Sequence, residues 1–168
     1  MDGNIPKLAG QDGRFLAKQI ALFRSGARVD PAMQVVAAHA TMDNQHAIVA
    51  LVYYLSRLNW SPRAVNGSGE HLRVGQETYN HICAACHGAD GRGEAGNPAP
   101  RIGGQHYPYL RLQIDAAADL HRDPAPPEMT SALRSMGSPQ KDALADYVSR
   151  LASSDALPDS RPYDEPQK

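Results

Sequence analysis

The sequence predicts an all-α fold built as two tandem copies of one helical unit, the first of them incomplete. Three observations predict it: an internal repeat, apolar residues recurring at helical spacing, and no stretch that alternates convincingly like a strand.

Shifting the chain by 94 residues aligns Pro6-Lys7-Leu8-Ala9-Gly10-Gln11 with Pro100-Arg101-Ile102-Gly103-Gly104-Gln105, and the match continues through Leu16/Leu110, Gln19/Gln113 and Ile20/Ile114. Met33 falls near Met129 once a two-residue insertion is allowed. At a shift of 93, Tyr54-Leu55-Ser56-Arg57-Leu58 parallels Tyr147-Val148-Ser149-Arg150-Leu151. The order of elements is kept, as expected for a duplicated unit.

In copy one, Leu16, Ile20 and Phe23 mark one helix, and Leu51, Tyr54, Leu55 and Leu58 another. Residues 61–71 hold Pro62, Gly67 and Gly69 among polar neighbours, a linker composition. In copy two, Gly75, Tyr79 and Cys83 sit four apart on one helix face, where glycine admits a close neighbour and Tyr147 is the natural partner of Tyr79. Leu110, Ile114 and Ala117 give a middle helix. Leu144, Tyr147, Val148 and Leu151 give a last one, with Ser138 expected as its cap and Pro139 in its first position. The expected division is therefore a partial unit over 1–60, a linker over 61–71, a complete unit over 72–153 and a mobile tail over 154–168.

Charge is balanced, with 17 Lys+Arg against 18 Asp+Glu, which argues against a nucleic-acid-binding surface. The most apolar stretch, residues 49–55, is far below the roughly 18 residues of a membrane span. Nothing at the start reads as a secretory signal. Two cysteines within five residues leave no distant partner for a fold-stapling disulfide, so their use is local.

That local use is the most informative string in the chain, Cys83-Ala84-Ala85-Cys86-His87. Two thiols one helical turn apart can add to the two vinyl groups of a single haem, and the adjacent histidine then faces the iron. A zinc site needs four ligands, and no second pair lies at a suitable distance. A redox dithiol of the thioredoxin kind needs a strand-turn-helix setting, and no strand precedes Cys83. A chance pair of buried cysteines leaves the spacing and the histidine unexplained. Haem c, one per chain, is the expected cofactor.

Met129 is the expected sixth ligand, in a segment after Pro126-Pro127-Glu128 taken to be extended. Met136, just before the last helix, reads as core filler, and His106 and His121 are weaker candidates. The Pro100 carbonyl, 13 residues after His87, is a candidate acceptor for the ligand's other ring nitrogen. Arg101, with Gln105 and Tyr109, is a candidate partner of the haem propionates. Gly91-Arg92-Gly93 reads as a loop wrapping the haem edge rather than a phosphate loop, since no strand precedes it. No paired acid and base surround a substrate pocket, so the expected role is an electron carrier, not an enzyme.

The string from Cys83 to Gly93 and the two Pro-Lys/Arg-Leu/Ile-Ala/Gly-Gly-Gln strings resemble the soluble class I cytochromes c, specifically the two-domain dihaem cytochromes c4. The resemblance covers roughly residues 2–58 and 72–152. It implies cytochrome c-like domains in tandem, His/Met ligation and a periplasmic location. It also implies redox partners such as a quinol-oxidising complex and a terminal oxidase. Copy one keeps Met33, the match to the family's axial methionine, but lacks the first helix and its Cys-x-x-Cys-His. A reading frame that starts too late is expected over a natural one-haem derivative, and a second haem is expected only if such a motif lies upstream of Met1. Two other roles remain open: the electron-entry subunit of a dehydrogenase or oxidase complex, and a ligand sensor with an open sixth site.

Overall fold

In the computed structural model, residues 3–61, 63–93, 99–119 and 125–151 are described. They form helices and connecting loops, with no strand among them. The first group comprises α1 (Gly13–Ser25), α2 (Pro31–Ala37) and α3 (Gln45–Arg57), with a 3₁₀ turn at Ala40–Asp43. The second comprises α4 (Leu72–Thr78), a π-helical turn (Tyr79–Cys83), α5 (Ala84–His87), α6 (Tyr107–Ala118), α7 (Pro127–Ser135) and α8 (Ser138–Arg150). The repeat is visible as structure: α1 corresponds to α6, α2 to α7 and α3 to α8, and Met33 and Met129 are each the third residue of their helix.

The second group is organised around the crossing of α4 and α8, its most extensive helix pair. Gly75 makes that crossing possible. A Cβ there would lie 2.1 Å from the Ala143 carbonyl oxygen and 2.7 Å from Tyr147 Cβ, so any side chain would force the helices apart. Tyr79, with 0% of its surface exposed, packs against Tyr147 at 5.8 Å between ring centroids. Leu110, Ala117, Leu133, Met136, Leu144 and Val148 complete the core. Burying each of the larger side chains contributes about 1.5–3 kcal/mol.

The cap of α8 differs from the sequence expectation. Gly137 is the N-cap and Ser138 the first helical residue, with no side-chain capping bond. The Ser138 hydroxyl instead accepts from Arg111, which also binds Asp142 and Asp115.

Copy one has the stronger caps: the side chains of Asp12, Asp30 and Asn44 accept from the first-turn amides of α1, α2 and α3. Tyr54 is the repeat equivalent of Tyr147 but is 60% exposed, because no described helix lies on α3 as α4 lies on α8.

The connecting segment is strapped down rather than loose. Buried Asp146 accepts from the amides of Gly67 (2.9 Å) and Gly69 (2.6 Å) and from Arg150. His106 Nδ1 accepts from the Val65 amide, and Val65 in turn accepts from the Tyr107 amide.

The two copies meet mainly through loops, in a pseudo-twofold arrangement. The Gln11 side chain accepts from the Arg101 amide (2.8 Å) and donates to the Arg101 carbonyl (2.9 Å). Its equivalent, Gln105, accepts from the Lys7 amide (2.9 Å) and donates to the Lys7 carbonyl (3.1 Å). The buried ring of Trp60 lies under both cations, 4.5 Å from the Arg101 guanidinium carbon and 5.4 Å from Lys7 Nζ.

Candidate functional site

The helix that begins at α4 does not run regularly into the cysteine motif. At Ala84 the amide bonds to the Tyr79 carbonyl five residues back, so the chain passes through one π turn before α5. Such insertions rotate the residues that follow and recur at functional sites. Cys83 ends half-buried against the core and Cys86 ends exposed, with no disulfide between them. Burial, and secondarily the neighbouring Cys86 thiol, push the Cys83 thiol up to about 11.

Gly88 ends α5 with φ +78, a conformation that favours glycine. The loop then folds back on the motif: Gly93 donates to the His87 carbonyl, and Ile102 and Gly103 both donate to the Gly91 carbonyl. A Cβ on Gly91 would come within 2.6 Å of the Gly103 amide nitrogen, so this close approach requires glycine. Its effect is to lay the segment 99–103 beside His87.

His87 is buried, and its Nδ1 lies 3.0 Å from the Pro100 carbonyl oxygen. A carbonyl can only accept, so Nδ1 carries the proton, and in the neutral ring the lone pair is then on Nε2. This tautomer is the one a histidine needs to ligate a metal through Nε2. The Tyr79 hydroxyl donates to the Gly88 carbonyl at 2.6 Å, and burial of the ring keeps that hydroxyl protonated.

Met129 lies in the first turn of α7 and packs, partly buried, against the core. It is helical, not extended as the sequence suggested. Pro127 is pre-organised for the first helical position, and only Pro126 keeps an extended ψ of 138°. Met136 is buried in the core. The adjacent Thr130 hydroxyl is buried with no hydrogen-bond partner among the described residues, a cost of about 1–3 kcal/mol unless a bound group satisfies it.

Arg101 is buried beside Trp60. Gln105 commits both ends of its amide to Lys7, and the Tyr109 hydroxyl accepts from Arg28. The structure therefore places Gln105 and Tyr109 at the contact between the copies. His106 clamps the connecting segment, and His121 lies outside the described residues, as does the tail expected beyond residue 153. Lys7 and Gln11 carry the same contact from copy one. Their signal was present in the repeated Pro-to-Gln string, but an alignment of two copies does not reveal that each binds the other.

Among the described residues, no group of three or more His, Cys, Asp or Glu side chains is placed to hold a metal ion. The donor set suits a covalently attached haem instead: two unbridged thiols one turn apart, a buried imidazole with its Nε2 lone pair oriented by Pro100, and an unsatisfied buried hydroxyl.

Residues 73–152 match the family model of cytochrome c. The chain is 31% identical over 153 residues to the "thiosulfate dehydrogenase electron acceptor" of Stutzerimonas stutzeri, covering 87% of this chain and 70% of that protein. The chain belongs to the cytochrome c family. A cytochrome c4 of Pseudomonas aeruginosa is 28% identical over 116 residues, 66% of this cytochrome and 57% of that one. The structure of cytochrome c4 from Acidithiobacillus ferrooxidans superposes with a TM-score of 0.75 at 23% identity, covering 90% of this chain and 92% of that chain. The thiosulfate dehydrogenase TsdBA of Marichromatium purpuratum superposes with a TM-score of 0.74 at 28% identity, over 87% of this chain and 32% of that one. The all-α, tandem-domain expectation is met. A cytochrome c domain implies covalent haem c, and the cytochrome is an electron carrier. No described helix is long and apolar enough to cross a membrane.

Proposed function

We propose that this cytochrome accepts single electrons from a dehydrogenase that oxidises a sulfur oxyanion and passes them to a respiratory acceptor such as a terminal oxidase. The observation that carries this reading is the 31% identity, over most of the chain, to a thiosulfate dehydrogenase electron acceptor. The superposition on TsdBA, in which a thiosulfate dehydrogenase chain contains this fold, supports it. A quinol-oxidising complex as donor is the rival outcome.

In this reading the domain over 72–153 holds one haem c. Cys83 and Cys86 form its thioethers, His87 ligates through Nε2, and Met129 supplies the sixth ligand. The haem, when bound, contributes an iron that changes oxidation state by one electron without ligand exchange. The chain does the rest. Pro100 fixes the His87 tautomer and ring orientation, and the Gly88-to-Gly93 loop holds Pro100 in place. Met129 enters from α7, and a thioether there raises the reduction potential. Arg101 offsets the cost of partly buried propionates. The location consistent with haem attachment is the periplasm.

The test is rapid mixing of the oxidised holoprotein with thiosulfate dehydrogenase and thiosulfate, followed optically. Reduction within the turnover time of the enzyme is expected. A protein that ascorbate reduces but thiosulfate plus enzyme does not would overturn the assignment of the donor.

A further inference from the structure

Copy one reaches the His87 side of copy two through a single peptide group. The Pro100–Arg101 peptide is engaged at both ends. Its carbonyl accepts from His87 Nδ1 at 3.0 Å, and its N–H donates to Gln11 Oε1 at 2.8 Å. The Gln11 side chain is buried and fixed at its other end, where its Nε2 donates to the Arg101 carbonyl at 2.9 Å. Hydrogen bonds in series polarise one another, because drawing the N–H of an amide toward an acceptor increases the negative charge on its carbonyl oxygen. A more negative Pro100 oxygen pulls harder on the Nδ1 proton and makes Nε2 a stronger donor.

We propose that Gln11 of copy one is a positioning residue for the proximal histidine of copy two, setting the donor strength of His87, and with it the reduction potential, through the Pro100–Arg101 peptide. The inference rests on His87 being the proximal ligand, as proposed above. It gives copy one an electronic role whatever its own cofactor content. The path is short: one peptide group separates the Gln11 side-chain amide from the ligand.

The experiment is a potentiometric titration of the holoprotein and of Gln11→Met, which keeps the side-chain length but none of the three hydrogen bonds that Gln11 makes with Arg101 and the Asp12 amide. Loss of the acceptor weakens His87 as a donor, which disfavours the oxidised iron and raises the potential. The expected displacement of the redox equilibrium toward the reduced form is up to about twofold, a 10–30% change in one hydrogen bond. For one electron that is about 18 mV, since tenfold is 59 mV. Gln113→Met is the matched control. It removes a contact with Arg28 of copy one by the same chemical change, without touching the Pro100–Arg101 peptide. Gln11→Asn, one methylene short of both contacts, replaces Gln11→Met if that variant does not mature.

An upward shift confined to the Gln11 variants supports the proposal. Equal shifts in Gln11→Met and Gln113→Met would assign the effect to a loosened interface, and an unchanged potential in both would leave Gln11 a purely structural bond; either result overturns it. Failure of the underlying site reading looks different, because a wild-type spectrum without a low-spin haem would remove His87 as the ligand before any variant is compared.

Discussion

The Tyr79 hydroxyl donates a 2.6 Å hydrogen bond to the Gly88 carbonyl, tying the π-helical turn before the cysteine motif to the glycine that ends it. Both groups are buried. Tyr79→Phe keeps the ring contact with Tyr147 and leaves the Gly88 carbonyl with only the longer bond from the Gly91 amide, at 3.2 Å. The expected loss is about 1–2 kcal/mol of unfolding free energy, read as a lower denaturant midpoint at unchanged slope.

Asp146 anchors the segment between the copies. It accepts from two backbone amides and from Arg150 while almost entirely inside the protein. Asp146→Ala leaves the amides of Gly67 and Gly69 without their acceptor, and a loss of about 3 kcal/mol is expected. The same change should release residues 63–71. Trypsin cleavage after the exposed Arg63 should accelerate several-fold in the native protein, and an unchanged rate would show that other contacts hold the segment.

Lys7 sits beside Arg101 over Trp60, donating to the carbonyls of Ser61 and Gly104. Burial first, and the Arg101 charge second, lower its pKa from 10.5 to about 8. A lysine whose folded pKa is depressed holds fewer protons in the native state than in the unfolded state between those two values. Stability therefore rises with pH over that interval and gains nothing from this group below pH 8. Thermal unfolding between pH 7 and 10 should show this rise in the wild type and a weaker one in Lys7→Met. Identical profiles would mean that Lys7 retains its proton throughout.

What the sequence made legible is what repeats or recurs: the helices, the Gly75 and Tyr79 face, and the Cys83-to-His87 motif. What it hid depended on partners distant in the chain. Ser138 looked like a cap because serine before proline caps many helices, but Arg111 from α6 claims its hydroxyl. Met129 looked extended because two prolines precede it, and proline favours either an extended segment or a helix start. Gln105, with Arg101, looked like a propionate partner, and nothing near it in the chain showed that its amide also engages the Lys7 backbone from 98 residues away. Nothing in the pattern of Tyr79 to Cys83 announced a π turn.

The choice between Met129 and Met136 is open to a direct chemical test. Leucine is close in volume to methionine and has no sulfur, so exchanging either residue costs less than about 1.5 kcal/mol and leaves the helices in place. Met129 is partly buried in the first turn of α7, next to the unsatisfied Thr130 hydroxyl, whereas Met136 is enclosed in the hydrophobic core. If Met129 is the sixth ligand, the reduced wild type should not bind carbon monoxide at neutral pH, and Met129→Leu should bind it and lose the weak far-red band of iron–sulfur ligation. Met136→Leu should behave as the wild type. The reverse pattern would transfer the ligand to Met136, and binding by the wild type itself would identify an open site suited to ligand sensing rather than electron transfer.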